Sequence, residues 1–173
     1  MEALVEFGKI ILPAGVVLYA MYLVVRLFLQ KEYDKKLIDI KLKNIETVLP
    51  VRLQAYERIC LLLERITPKN LISRLNSPDY TAEEFHHILL HEIREEFNHN
   101  ISQQVYISGE SWDLVKSSME EVIMIINEAS GEMTEENKSI DLSRKIFDKV
   151  LEKQQLIIDV ALKFIKEEIQ QSF

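Results

Sequence analysis

Between His86 and Asn100 the chain reads HHILLHEIREEFNHN, which gathers its four histidines (His86, His87, His91 and His99) with Glu92, Glu95 and Glu96. Imidazoles and carboxylates this close could hold a divalent metal or pass a proton, provided a helix turns them the same way. At 100° per residue from Phe85, the apolar Leu89, Ile93, Phe97 and Leu90 fall at about 40°, 80°, 120° and 140° and define an inward face. His86, at about 100°, lies within that face, where a neutral imidazole bonded to a neighbour is the ordinary arrangement. His87 and His91 fall at about 200° and 240°, Glu95 at about 280° and His99 at about 320°, on the polar side.

His87, His91 and Glu95, at i, i+4 and i+8, stack on one face and could offer two imidazoles and a carboxylate to one metal. The string is not H-E-x-x-H, and no further histidine or second cysteine exists to complete the ligand set from another helix. The expectation is a solvated polar face, with a metal-dependent or acid/base enzyme centred on His87, His91 and Glu95 as the alternative reading. No catalytic, cofactor-binding or metal residue is assigned. Glu96, at about 20°, borders the apolar face, where Arg52, Arg58 or Arg65 could pair with it and fix helix register.

Other chemistries find no motif. G-x-x-x-x-G-K, G-x-G-x-x-G and G-x-S-x-G are absent. A formal net charge of −7 argues against a surface for nucleic acid, which relies on excess Lys and Arg. Cys60 stands alone in the apolar run Ile59 to Leu63 and reads as a small core residue.

The elements that must carry these residues are helical. Only 4 Gly and 4 Pro in 173 residues, with long polar-apolar runs, predict an all-α chain. Thr81 with Glu84 forms a capping box that starts the histidine helix. Thr67-Pro68 opens a short helix through Leu75. Pro50 is expected to reset the chain before VRLQAYERICLLLERI, whose inner face is Leu53, Tyr56, Ile59, Cys60, Leu63 and Ile66. Ser111 is expected to cap a helix with Trp112, Val115, Met119, Val122, Ile123 and Ile126 inside, ended by Gly131. After the polar GEMTEENKS loop, one helix of about 45 Å is expected from Ile140 to Ile169, with Ile146, Phe147, Val150, Leu151, Ile157, Val160, Ala161, Phe164 and Ile165 along its stripe.

Ahead of all this, residues 10–29 read IILPAGVVLYAMYLVVRLFL, with Arg26 as the one charge. As a helix this spans about 30 Å, the thickness of a bilayer core. Glu2 and Glu6 before it, and the lack of a small-residue cleavage pattern after it, favour a retained anchor over a signal peptide. Lys31, Lys35, Lys36, Lys41 and Lys43 follow it, against Lys9 before, so the C-terminal side is expected in the cytoplasm. The Asn100 and Asn137 glycosylation sequons are then chance matches.

The strings LPVRLQAYERICLLLERITPKNLISRL, Leu49 to Leu75, and IREEFNHNISQQVYIS, Ile93 to Ser108, carry a resemblance. In them the chain resembles an uncharacterised Bacteroidota family of short membrane-anchored helical proteins, a domain of unknown function. The resemblance implies an inner-membrane, cytosol-facing, single-pass protein and supplies no activity.

Together these readings give an all-α chain: an N-terminal transmembrane anchor in residues 1–30, a juxtamembrane helix continuous with it in 31–49, and a cytosolic antiparallel helical bundle with a long C-terminal helix in 50–173. The expected function is that of a scaffold or accessory subunit of a membrane-associated assembly, not an enzyme, in the bacterial inner membrane with its N-terminus outside. Its expected partners are the lipid bilayer through residues 10–29, other proteins, and further copies of itself, since long apolar stripes exceed what one small bundle hides. A small-ligand regulatory module is the remaining alternative.

Overall fold

The computed structural model describes residues 2–171 and is all-helical, with no strand among them. Six α-helices follow in order: α1 Glu2–Ile66, α2 Pro68–Leu75, α3 Ala82–Asn100, α4 Gly109–Ser130, α5 Ser139–Glu152 and α6 Ile157–Gln171; a 3₁₀ turn, Ile101–Val105, separates α3 from α4. The chain divides into two units, Met1–Leu49 and Pro50–Phe173.

The first unit is the greater part of α1. The side chains described from Ala14 to Leu29 are exposed, as are Tyr33, Leu37, Ile38, Ile40, Leu42, Ile45 and Val48 farther along. By length and composition this is a helix that could cross a membrane. Pro50 does not end the helix, contrary to the sequence expectation. Proline removes one i to i−4 hydrogen bond at a cost of about 3 kcal/mol. The helix nonetheless continues through Val51 and Arg52 to Ile66.

The second unit, from Pro50 onward, is a bundle in which α4 packs on α3, α5 and α6. Each helix enters the core through residues at helical spacing: Tyr56, Ile59, Leu62, Leu63 and Ile66 of α1; Phe85, Leu89 and Ile93 of α3; Val115, Val122, Ile125, Ile126 and Ala129 of α4. Leu142 and Ile146 of α5, with Ile158, Ala161 and Ile165 of α6, complete it. Leu53 lies on the exposed side of α1, and Cys60 is half-buried where burial pushes its thiol pKa up.

Local signals set several helix starts. Thr67 caps α2, its hydroxyl accepting from the Asn70 N–H, with Pro68 first in the helix. Thr81 and Glu84 form the capping box of α3: the Glu84 N–H donates to Thr81 Oγ1 and the Thr81 N–H donates to Glu84 Oε2. The cap of α4 is Ser108 and not Ser111: Ser108 Oγ accepts from the Ser111 N–H at 3.1 Å, so the helix begins one turn earlier than expected. The segment between α4 and α5 is tied down. The Ala82 N–H donates to Asn137 O, the Ser139 N–H donates to Tyr80 O, and Ser139 Oγ donates to Ser77 O, joining the starts of α3 and α5.

The long C-terminal helix is two helices. Between α5 and α6 the backbone N–H of Ile157 donates to a carboxylate oxygen of Glu121 at 2.6 Å, and Lys153 Nζ reaches the other oxygen at 3.0 Å. No proline or glycine marks the break; Glu121 of α4, 7% exposed, supplies from another helix the acceptor that caps α6. Once broken, the predicted stripe no longer shares one face: Ile146, Ala161 and Ile165 are buried, while Phe147, Leu151 and Val160 are exposed.

Candidate functional site

The histidine helix does not assemble a site. His87, His91, Glu95 and His99 are exposed. Among the described residues no three His, Cys, Asp or Glu side chains are placed to share a metal ion, so His87, His91 and Glu95 do not form the ligand stripe of the alternative reading. His86 lies at the edge of the core and not within it, half-buried, its Nε2 sharing a 2.8 Å hydrogen bond with Asn127 Oδ1 of α4. The reason is the breadth of the α3 face: Phe85, Leu89 and Ile93 fill its centre, and the ring beside them leans out to a polar partner.

Of the three arginines that could meet Glu96, Arg65 does so. Its Nε lies 2.8 Å from Glu96 Oε2, and Glu92 beside it pairs with Arg74. Arg65, Glu92 and Glu96 line an open groove of about 450 Å³ between the end of α1 and α3, with Glu95, Asn98 and His99. A smaller groove of about 310 Å³ lies at the start of α3, lined by His86, His87 and Met133 among others. Neither is an enclosed apolar cavity of the kind that holds small ligands.

Two carboxylates that periodicity did not single out organise the bundle. Glu121 is the cap described above. Glu168 of α6 reaches the start of α4, where its carboxylate accepts from Tyr56 OH at 2.6 Å, Ser108 N–H at 3.2 Å, Ser108 Oγ at 2.9 Å and Ser111 Oγ. Tyr56 in turn accepts from Arg52 at 3.2 Å, and Arg52 Nε donates to Tyr106 O at 3.2 Å. Burial pushes the Glu168 carboxyl pKa up, but the hydrogen bonds from Ser111, Tyr56 and Ser108 outweigh it and hold it below the usual carboxylate value. A carboxylate so surrounded by protein donors is committed to structure and is a poor proton acceptor for a substrate.

A signal for both was present. Glu121 follows Ser118 by three residues and precedes Ile125 by four; Glu168 follows Ala161 by seven and Ile165 by three, so each stands in its helix's core register. A charge in that register marks either an error of phase or a buried partner, and here it marks a partner. Among the described residues no buried side-chain polar atom lacks a hydrogen bond.

The unusual feature is α1, whose apolar residues from Ala14 to Val48 stand exposed within the first unit. A family of unknown function, DUF7935, matches residues 2–172, from this helix to the end of α6. The chain belongs to that family. The match covers residues of both units, and it agrees with the resemblance in one respect, that the family is one of unknown function. No curated protein and no solved structure is detectably similar to the chain.

Proposed function

We propose that this DUF7935 protein is a single-pass inner-membrane scaffold or accessory subunit, held in the bilayer by residues 10–29 and acting through protein contacts of its cytoplasmic part. The observation that carries this reading is the run Ala14–Leu29 in α1, whose side chains are exposed and of which Arg26 alone is charged. Burying such a face in hydrocarbon gains about 1.5–3 kcal/mol for each large apolar side chain, which the helix on its own leaves in water. Arg26, one turn from the end of the run, has a stem long enough to reach the headgroups. The five lysines between Lys31 and Lys43 favour a cytoplasmic location for the bundle.

Alkaline carbonate extraction of membranes from expressing cells tests the anchor. The protein should remain with the membrane, and a variant with Leu18→Lys and Met21→Lys should be released. Reporter fusions at the C-terminus test orientation: a cytoplasmic fluorescent protein should be active there and alkaline phosphatase inactive. Wild-type protein in the carbonate supernatant would defeat the proposal.

A further inference from the structure

Beyond the anchor, α1 carries apolar residues that the lipid reading does not absorb. Ile38, Leu42 and Ile45 are each more than half exposed, and Leu49 is half-buried. Their spacing is four, three and four. At 100° per residue from Ile38, Leu49, Leu42 and Ile45 fall at about 20°, 40° and 340°, one narrow face. This is the alternation of a coiled-coil seam, with Ile38 and Ile45 at d and Leu42 and Leu49 at a.

We propose that residues 38–49 of α1 form the seam of a parallel homo-oligomer, so that the partner of this face is a second copy of the same chain. Strand direction rests on the membrane reading above, since copies anchored with one topology bring their helices in side by side and parallel. Charge decides between the two apolar faces of this segment. In the register of Ile38 and Leu42, Lys41 occupies g and Glu46 occupies e, the two positions that meet between parallel neighbours, and both side chains are exposed. Opposite charges therefore meet on either side of the seam.

The other exposed face, Tyr33, Leu37 and Ile40, places Lys36 at g against Lys41 at e, and like charges oppose it. Toward the membrane, Lys31 and Lys35 take the core positions of this register and Asp34 at g meets Asp39 at e, so like charges oppose pairing there and the opposite-charge contact is confined to Lys41 and Glu46. These lysines fix the register and confine the apolar seam to the two turns of heptad below. Thr47 points away from it, its hydroxyl donating to Lys43 O at 3.0 Å. Leu at a with Ile at d favours three or four strands over two.

Disulfide trapping in native membranes tests the seam. In a Cys60→Ser background, Ile45→Cys should oxidise rapidly to a linked pair of chains, and Lys43→Cys, at about 140° from Ile38, should not. Light scattering of the detergent-solubilised protein should give three or four copies, and Leu42→Asp should reduce this to one with the Trp112 fluorescence of the bundle unchanged. Lys41→Glu should weaken assembly, and Lys41→Glu with Glu46→Lys should restore it. Equal trapping at positions 43 and 45, a wild-type monomer, or indifference to the charge changes overturns the seam; a dimer overturns the order inferred from Leu and Ile. Carbonate extraction of the same variants reads the anchor separately: the seam variants should stay with the membrane, so loss of assembly and loss of anchoring are told apart.

Discussion

Replacing Glu168 by Gln keeps the size of the side chain and removes its charge from the start of α4. Among the donors that converge on the carboxylate are Tyr56 OH, the Ser108 N–H, Ser108 Oγ and Ser111 Oγ. Charge-assisted bonds are roughly twice as strong as neutral ones, a difference of about 0.5–1 kcal/mol for each. Four such bonds give about 2–4 kcal/mol, and because Glu168 is partly open to solvent the expected loss is at the lower end, about 2 kcal/mol. For a unit of this size that lowers Tm by about 6–10 °C. The assay is thermal or urea unfolding followed by Trp112, which stacks on Phe97 with ring centroids 5.3 Å apart and is the one tryptophan of the chain.

The pH dependence gives the sharper test. The folded-state pKa of Glu168 is depressed, so its contribution is fully present above the unfolded-state value of about 4.3 and is lost as pH falls through the lower folded-state value. The advantage of wild type over Glu168→Gln should therefore be constant from neutral pH to about 5 and vanish at lower pH. A difference below about 0.5 kcal/mol at pH 7, or one that persists undiminished in acid, would refute the assignment of Glu168 as an ionised cap.

Glu121→Ala leaves Lys153 Nζ and the Ile157 N–H without their acceptor and should cost about 3 kcal/mol, with hydrogen exchange at Ile157 rising more than at Ile165. Phe85→Ala should cost about 3–5 kcal/mol in urea unfolding, since the ring is fully buried among core residues of a closely packed bundle. Arg65→Ala should cost less than about 1 kcal/mol, because the guanidinium is 49% exposed although its partner Glu96 is not; a larger loss would mean that the pair sets helix register. His87→Ala with His91→Ala should change stability by less than about 0.5 kcal/mol and leave the metal content of the purified protein, read by elemental analysis, unchanged.

Where one helix's own residues set the outcome, the chain could be read directly. Thr81 and Glu84 cap α3, Thr67 and Pro68 open α2, and the apolar spacing from Phe85 to Ile93 faces inward, because capping and amphipathicity act within a few residues of sequence. Pro50 misled because its local cost of about 3 kcal/mol is real, yet small beside the propagation of helix on either side. Ser108 and Ser111 both have the chemistry of a cap, and both hydroxyls donate to Glu168, which lies sixty residues from Ser108 along the chain and which no local pattern could reveal. The split between Glu152 and Ile157 was invisible for the same reason: its cause, Glu121, belongs to another helix.

By itself the sequence determined that this chain is helical, where its locally capped helices begin, which residues form most of its core, and that residues 10–29 are too apolar and too long for an ordinary surface helix. These are short-range properties of hydrogen-bonding side chains and of periodicity. Tertiary structure alone decided that the C-terminal helix is two, that Arg65 among three arginines meets Glu96, and that His86 turns outward to Asn127. It also placed Glu121 and Glu168, two glutamates standing in apolar registers, against donors from distant helices. A buried carboxylate is tolerable only where its partners converge, and convergence is a property of packing in three dimensions.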